Sequence, residues 1–309
     1  MQILRHQLAE LPFGEIEPLV RTSFFASPGF LNLWKVRGGT PVVWLVRMDG
    51  AVAAVLPGVE FGRGFLKRFH STPNGCYGKL CLADGVDPRI QKEIADRILK
   101  AVGKSGYIKT FVNDYYGCFG DCSGFDVKMF ETRLVDISDP QWEPPTKQVR
   151  KDIRVAEREN VILERFDGVK HMSGFLALVG LTEKRLRTKH KYPEEFYRAL
   201  ADLSEKDDRI QWVWCAHENR PVASSIFLVE GDNLLSWQIH YDFSLSHLQA
   251  TKLARFVTAR KAASTGVRYL NMGVSHEGAE GTDSFKRRWG GEMRSYRCYF
   301  ARSLLGRLS

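Results

Sequence analysis

The chain has 309 residues, 44% hydrophobic and 26% charged, which is enough apolar material for a sizeable core and excludes a disordered or fibrous chain. Its 45 Lys and Arg against 36 Asp and Glu leave a formal charge of +9, which favours anionic partners: RNA, phosphorylated sugar precursors, acidic lipid headgroups or an anionic cofactor. No run approaches the roughly 20 apolar residues of a spanning helix, and the opening MQILRHQLAELPFGEIE carries charges where a signal peptide is apolar, so a soluble cytoplasmic protein is expected.

The first residues, to about Phe30, mix helix-like and loop signals. Residues 42–48 read as a strand, Asp49-Gly50 as a hairpin turn, and Ala51 to Glu60 as the return strand. Phe61 to Tyr77 reads as loop, with Gly62, Gly64, Pro73 and Gly75. Pro88 opens a helix in which Ile90, Ile94, Ile98 and Val102 recur at helical spacing. Strands are expected from Tyr107 to Val112 and across Phe130, Thr132 and Leu134. Six cysteines, at 76, 81, 118, 122, 215 and 298, form no CxxC pair, so reduced small hydrophobes are expected and no metal.

Asp139-Pro140 to Pro145 reads as a linker, because its prolines forbid regular structure. It divides the chain into expected domains 1–139 and 140–309. Thr146 is a plausible N-cap for a helix from Lys147 to Glu159, stopped at Asn160, whose inward face is Val149, Ile153 and Ala156. Arg150, Arg154 and Arg158, at i, i+4 and i+8, make a cationic stripe on it. Two more helices follow, one carrying Phe175 and Val179 inward and one opened by Pro193. Between them lies a basic run, Lys184 to Lys191, that includes Arg185. Either group of cations is a polyanion surface or a solvated helix face. Three strands come next, around residues 210–214, 222–229 and 234–241, then a helix from about Ser246 to Ser264. The strand Val267 to Met272 leads through a Gly/Ser/His/Glu loop into a basic, aromatic turn, Phe285-Lys286-Arg287-Arg288-Trp289-Gly290-Gly291, before a closing strand at 294–300. The two halves echo one another in element order, as two copies of one α/β unit would.

This order and these residues resemble the GNAT acyltransferase fold in duplicated form, and in particular the Fem-type aminoacyltransferases and their FemAB-like and BioF2-like relatives. The matching stretches are Val149 to Val161, which resembles the family's basic helix, Glu218 to Ala223, its hairpin, Gly266 to Gly273, its strand, and Phe285 to Glu292, its "F-K-x-x-F/W-G-G" ending. The resemblance implies an α/β (α+β) chain of tandem GNAT-like domains with mixed central sheets flanked by helices. It also implies transfer of an activated acyl or aminoacyl group to an amine, here of a cell-envelope or polysaccharide precursor. The donor would be aminoacyl-tRNA, an acyl carrier protein thioester or acyl-CoA, with no permanently bound cofactor. Peripheral contact with a membrane lipid substrate is a further expectation.

Acyl transfer passes through an oxyanion that needs a cation or hydrogen-bond donors aimed at it. Lys286 can supply the cation, or hold a donor's phosphate or ribose. Phe285 or Trp289 can stack on a base. His240, Tyr241 and Asp283 are candidate proton acceptors, although His240 also fits as an ordinary strand histidine. Lys35, beside Trp34, is a candidate donor contact in the first half. A CoA site needs a glycine-rich turn after the central strand to cradle the pyrophosphate. Residues 242–247 read Asp-Phe-Ser-Leu-Ser-His instead, which counts against CoA. A CoA-dependent N-acetyltransferase acting on a small amine, and a non-catalytic tRNA- or nucleotide-binding module, are the competing readings.

Overall fold

Asp49 and Gly50 take the positive φ values, 49° and 84°, that a tight hairpin turn requires, and they join the longest antiparallel pair of the first half. The computed structural model describes residues 1–73, 75–188, 192–274 and 280–303, with the backbone alone at residue 280. In chain order the first half runs β1 (Gln2–Gln7), α1 (Phe13–Val20), α2 (Pro28–Leu33), β2 (Gly39–Met48), β3 (Ala51–Phe61), β4 (Arg68–His70), β5 (Cys81–Leu82), α3 (Pro88–Gly103), β6 (Lys109–Asp114) and β7 (Asp126–Asp136). The second half runs α4 (Lys147–Arg158), β8 (Ile162–Arg165), α5 (Met172–Leu186), α6 (Glu194–Ser204), β9 (Ile210–His217), β10 (Arg220–Glu230), β11 (Asn233–Tyr241), α7 (Ala250–Ala263), β12 (Tyr269–Val274), α8 (Glu280–Arg287) and β13 (Glu292–Arg302).

Two compact units emerge, residues 1–130 with 295–309, and residues 131–294. In the first, β1, β2, β3 and β4 pair antiparallel in turn, β4 pairs parallel with β6, and β6 antiparallel with β13. In the second, β8, β9, β10 and β11 pair antiparallel in turn, β11 pairs parallel with β12, and β12 antiparallel with β7. The two patterns are the same, with the parallel pair in the same place. Each unit takes its sixth strand from the far end of the other half of the sequence. A division at the proline linker therefore differs from the compact units: β7 precedes the linker yet its end pairs with β12, and β13 closes the chain yet pairs with β6.

In the first unit the apolar run of β2 is buried on both faces. Val42, Trp44 and Val46 meet Ile94, Ile98 and Val102 of α3, while Val43 and Leu45 meet Ile16, Leu19 and Val20 of α1. In the second, α4 and α7 cover one face through Val149, Ile153, Ala156, Leu253 and Ala254, packed on Phe227, Leu234 and Leu270. Lys252 Nζ of α7 donates to Asp152 Oδ2 of α4 at 2.5 Å, tying the two helices together. The other face carries an aromatic stack in which Phe166 lies 3.9 Å from Trp212 and Phe175 packs edge-on against both Trp212 and Tyr197.

Several elements differ from the sequence reading. The opening residues form the strand β1, and β8 is a further short strand; both sit at the outer end of their sheets, where alternation is only half buried. The stretch 61–77, read as loop, contains β4. The helix expected from Ser246 begins at Ala250, because residues 243–248 form a 3₁₀ turn capped by Asp242. The basic aromatic turn is the end of a helix, α8. Among the described residues no helix is long and apolar enough to cross a membrane.

The double glycine after Trp289 has a steric cause. A Cβ on Gly291 would lie 2.1 Å from the backbone oxygen of Leu134, and one on Gly290 would lie 2.8 Å from the Pro145 ring; both residues have positive φ. The glycines thus let the chain cross β7 and the linker at backbone contact. Gly291→Ala is expected to destabilise the fold by at least about 2 kcal/mol, since both strain and overlap oppose it. A urea unfolding midpoint equal to that of the parent chain would refute this account.

Candidate active site

The parallel pairing of β11 with β12 is short. It runs only from Asn233↔Tyr269 to Leu235↔Asn271, and among the described residues the two strands carry on without further pairing to each other. At the same level β11 bulges: Phe227 of β10 faces Ser236 and Ile226 faces Gln238, so Trp237 is the extra residue. A bulge turns the side chains after it to the opposite face. Ser236 meets Arg255 of α7, whereas Trp237 and His240 pack towards α5 and α6.

Lys286 reaches this place from α8. Its side chain is only 6% exposed, and its Nζ donates to the carbonyl of Gly273 on β12 at 2.6 Å. Gly273, with φ of 71°, turns the strand end so that its carbonyl is presented to the ammonium, and its own N–H donates to Asn271 Oδ1 at 2.9 Å. Asn271 is fully buried and also accepts from Thr132 Oγ1 at 2.6 Å, which fastens β12 to β7. Burial pushes Lys286 down to about 8; Arg255 and Arg133 add to the effect, and Asp283, one turn earlier on α8, opposes it.

Arg255 was not apparent in the sequence. It looks like one more cation on an amphipathic helix, yet it is 3% exposed. Its guanidinium lies 4.9 Å from the ring centre of Phe285 on α8 and 5.1 Å from that of Trp289, just past the helix end. One nitrogen donates to Ser236 Oγ at 3.3 Å, while Nε and Nη1 have no hydrogen-bond partner among the described residues. Burial pushes it down to about 9, but a guanidinium keeps its charge at neutral pH. Two buried cations thus flank the point where β11 and β12 part, one hydrogen-bonded to each strand.

The other expected site residues fall in different places. Phe285 is half-buried under Arg255. Trp289 is fully buried and stacks on Trp142 with ring centres 6.3 Å apart, so it is a core residue and not a platform for a base. Tyr241 and Arg185 come together, the guanidinium 5.2 Å over the ring, and the Tyr241 N–H donates to Thr182 Oγ1 at 3.1 Å. His240 Nε2 lies 3.2 Å from Gln238 Oε1 and packs edge-on against Phe175, on the α5 and α6 side. Arg150 is committed to the linker, donating to the carbonyls of Pro144 at 2.6 Å and Pro145 at 2.8 Å. That leaves Arg154 and Arg158 as the exposed cations of the stripe. Lys35 is exposed on a short 3₁₀ turn of the first unit. Residues 189–191 of the basic run and 275–279 of the loop before α8 lie outside the described residues.

Residues 146–287 match the family of acetyltransferase (GNAT) domains. This chain has the tandem GNAT fold. Its GNAT architecture is similar to the crystal structure of FemX, with a TM-score of 0.68 at 10% identity over 96% of this chain and 97% of that one. The C-terminal domain of a putative lysylphosphatidylglycerol synthetase from Agrobacterium fabrum gives 0.59 at 9% identity, over 96% of this chain and 94% of that one. A tandem GNAT protein from the clavulanic acid biosynthesis pathway gives 0.55 at 10% identity, over 97% and 98%. No curated protein matches by sequence.

The buried ammonium has a thermodynamic signature. Its folded-state pKa lies below that of an exposed lysine, so the unfolded chain binds more protons between about pH 8 and 10.5, and the cost of burying the charge is relieved as pH rises through that window. Lys286→Met is therefore expected to gain stability over the parent chain, most below pH 8 and progressively less towards pH 10.5. Denaturant melts of both proteins at several pH values test this, and a pH-independent difference would contradict it. In Arg255→Leu, loss of the like charge is expected to move the Lys286 titration upward in NMR spectra of lysine-labelled protein.

Proposed function

We propose that the protein is an acyltransferase that moves an activated acyl or aminoacyl group to an amine of a cell-envelope or polysaccharide precursor, with Lys286 at the reacting carbonyl. The observation that carries this reading is the buried Lys286 held by the Gly273 carbonyl where the parallel strands part. A low-dielectric, partly desolvated cation is worth far more to a developing oxyanion than one in water. The attacking nitrogen forms the C–N bond as the donor's C–O or C–S bond breaks. The amine proton leaves to a base, and the departing alcohol or thiol takes up a proton. Asp283, one turn before Lys286, is the favoured acceptor for the amine proton. His240 is less suited, because the bulge turns it to the α5 and α6 side.

The donor we favour is aminoacyl-tRNA or a carrier-protein thioester rather than free acyl-CoA. The turn from β11 to α7 directs its N–H groups inward: Ser244 donates to Asp242 Oδ1 at 2.9 Å and Leu245 to the Asp242 carbonyl at 3.1 Å. An aspartate stands where a pyrophosphate would need free amides. The shared fold with FemX and a lysylphosphatidylglycerol synthetase supports an aminoacyl donor. Arg154 and Arg158 on α4 offer cations to an RNA backbone.

A panel of aminoacyl-tRNA, acyl carrier protein thioester and acyl-CoA, each offered with amine acceptors and scored for amide formation, tests the proposal. Consumption of acyl-CoA alone would favour an ordinary N-acetyltransferase. RNA binding with no donor consumed would favour a binding module. With the active donor, Lys286→Ala is expected to lower kcat by about 100-fold or more with the fold intact. Near-normal turnover would remove Lys286 from the chemistry.

A further inference from the structure

A second unneutralised group of cations lies in the first unit. Arg68 of β4 is the direct cross-strand partner of Lys109 on β6, and Lys109 is the direct partner of Arg302 on β13. Direct partners share a face, and like charges placed opposite one another are destabilising. Among the described residues no carboxylate forms an ion pair with any of the three. Lys67, by contrast, is paired with Glu60 at 3.2 Å. Arg68 and Arg302 are exposed and Lys109 is half-buried. The next row on the same face is aromatic: His70 is 5.9 Å from Phe111, and Phe111 is 5.0 Å from Phe300, measured between ring centres. Lys128 sits over Phe300 at 5.6 Å, and Lys128, Phe300 and Arg302 help line a pocket of about 510 Å³.

Directly before Arg68, the tip of the β3–β4 connection presents Phe65, 72% exposed, and Leu66, 52% exposed. The tip is built by glycines: Gly62 has φ of 87°, and a Cβ there would lie 2.6 Å from the Leu66 carbonyl. Arg63 and Lys67 flank the two apolar side chains. An adjacent aromatic and aliphatic pair, lifted into water among cations, is costly to expose and serves no core.

We propose that this edge is a peripheral membrane hook, in which Phe65 and Leu66 enter the acyl layer of an anionic phospholipid surface while Arg68, Lys109 and Arg302 take lipid phosphates. Charge complementarity selects an anionic surface. The apolar tip selects a bilayer over RNA, since a nucleic acid can stack on Phe65 but offers nothing to bury Leu66. The hook does not rest on the acyl-transfer reading, and its failure would leave that reading untouched.

The test is co-sedimentation of the full chain with vesicles of phosphatidylcholine alone and with vesicles that also contain phosphatidylglycerol. Binding is expected to the second and not the first, and to fall with added salt. The Phe65→Ser/Leu66→Ser double variant is expected to bind about tenfold more weakly or worse, with an unchanged thermal melt because both side chains are exposed. Arg68→Gln, Lys109→Gln and Arg302→Gln are each expected to weaken binding about fivefold, with Lys109→Arg restoring it. No binding to either vesicle would overturn the proposal. So would undiminished vesicle binding by the double variant. If poly(A) is bound equally by the parent and the double variant while vesicles are not, the ladder serves RNA instead.

Discussion

The early end of the β11–β12 parallel pairing is the constraint on which the second unit depends. A parallel pair that stayed in register would fill its own backbone groups and leave nothing to present. Here three pairs hold the strands together, and then a bulge on one strand and a positive-φ glycine on the other part them. Each freed strand is met by a buried cation, Ser236 by Arg255 and Gly273 by Lys286. The polar brace of Asn271 with Thr132 and the Gly273 amide keeps the divergence fixed, so the opening belongs to the fold and not to a loop.

Two buried cations lose their hydration and repel one another, and that cost is offset by the aromatic faces and the backbone dipole that hold them. Arg255 has the faces of Phe285 and Trp289; Lys286 has a carbonyl. The arrangement lowers the proton affinity of Lys286 and raises the attraction of the site for any oxygen that gains negative charge. Trp289 serves this arrangement from below. It is a core residue whose stacking on Trp142 anchors the end of α8, and the glycines that follow allow the chain to pass at contact distance.

The duplication gives each unit the same six-strand order, closed by a strand taken from the other half of the sequence. The first unit has put its exposed cations to a different arrangement, a ladder across three strands beside an apolar tip, rather than a buried pair at a strand end. The same scaffold thus carries buried charge in one unit and exposed charge in the other.

Much of this was legible in the sequence. The Asp49-Gly50 turn, the isoleucine spacing after Pro88, the Thr146 cap and the β10–β11 apolar runs each have a local cause and follow from near neighbours alone. The paired Gly290 and Gly291 after Trp289 mark a close backbone crossing in the sequence, and the structure shows the chain they cross. Edge strands β1 and β8 were not apparent, since half-buried alternation competes poorly with surrounding polar residues. Arg255, the bulge at Trp237 and the exchange of β7 and β13 depend on residues far apart in the chain: a helix cation is solvated or buried according to what packs over it, and a strand joins whichever edge is open. The sequence by itself determined most of the inner strands and helices and the repeated order of elements. Tertiary structure alone decided which cations lose their water, because desolvation is a property of what surrounds a side chain and not of its place in the sequence.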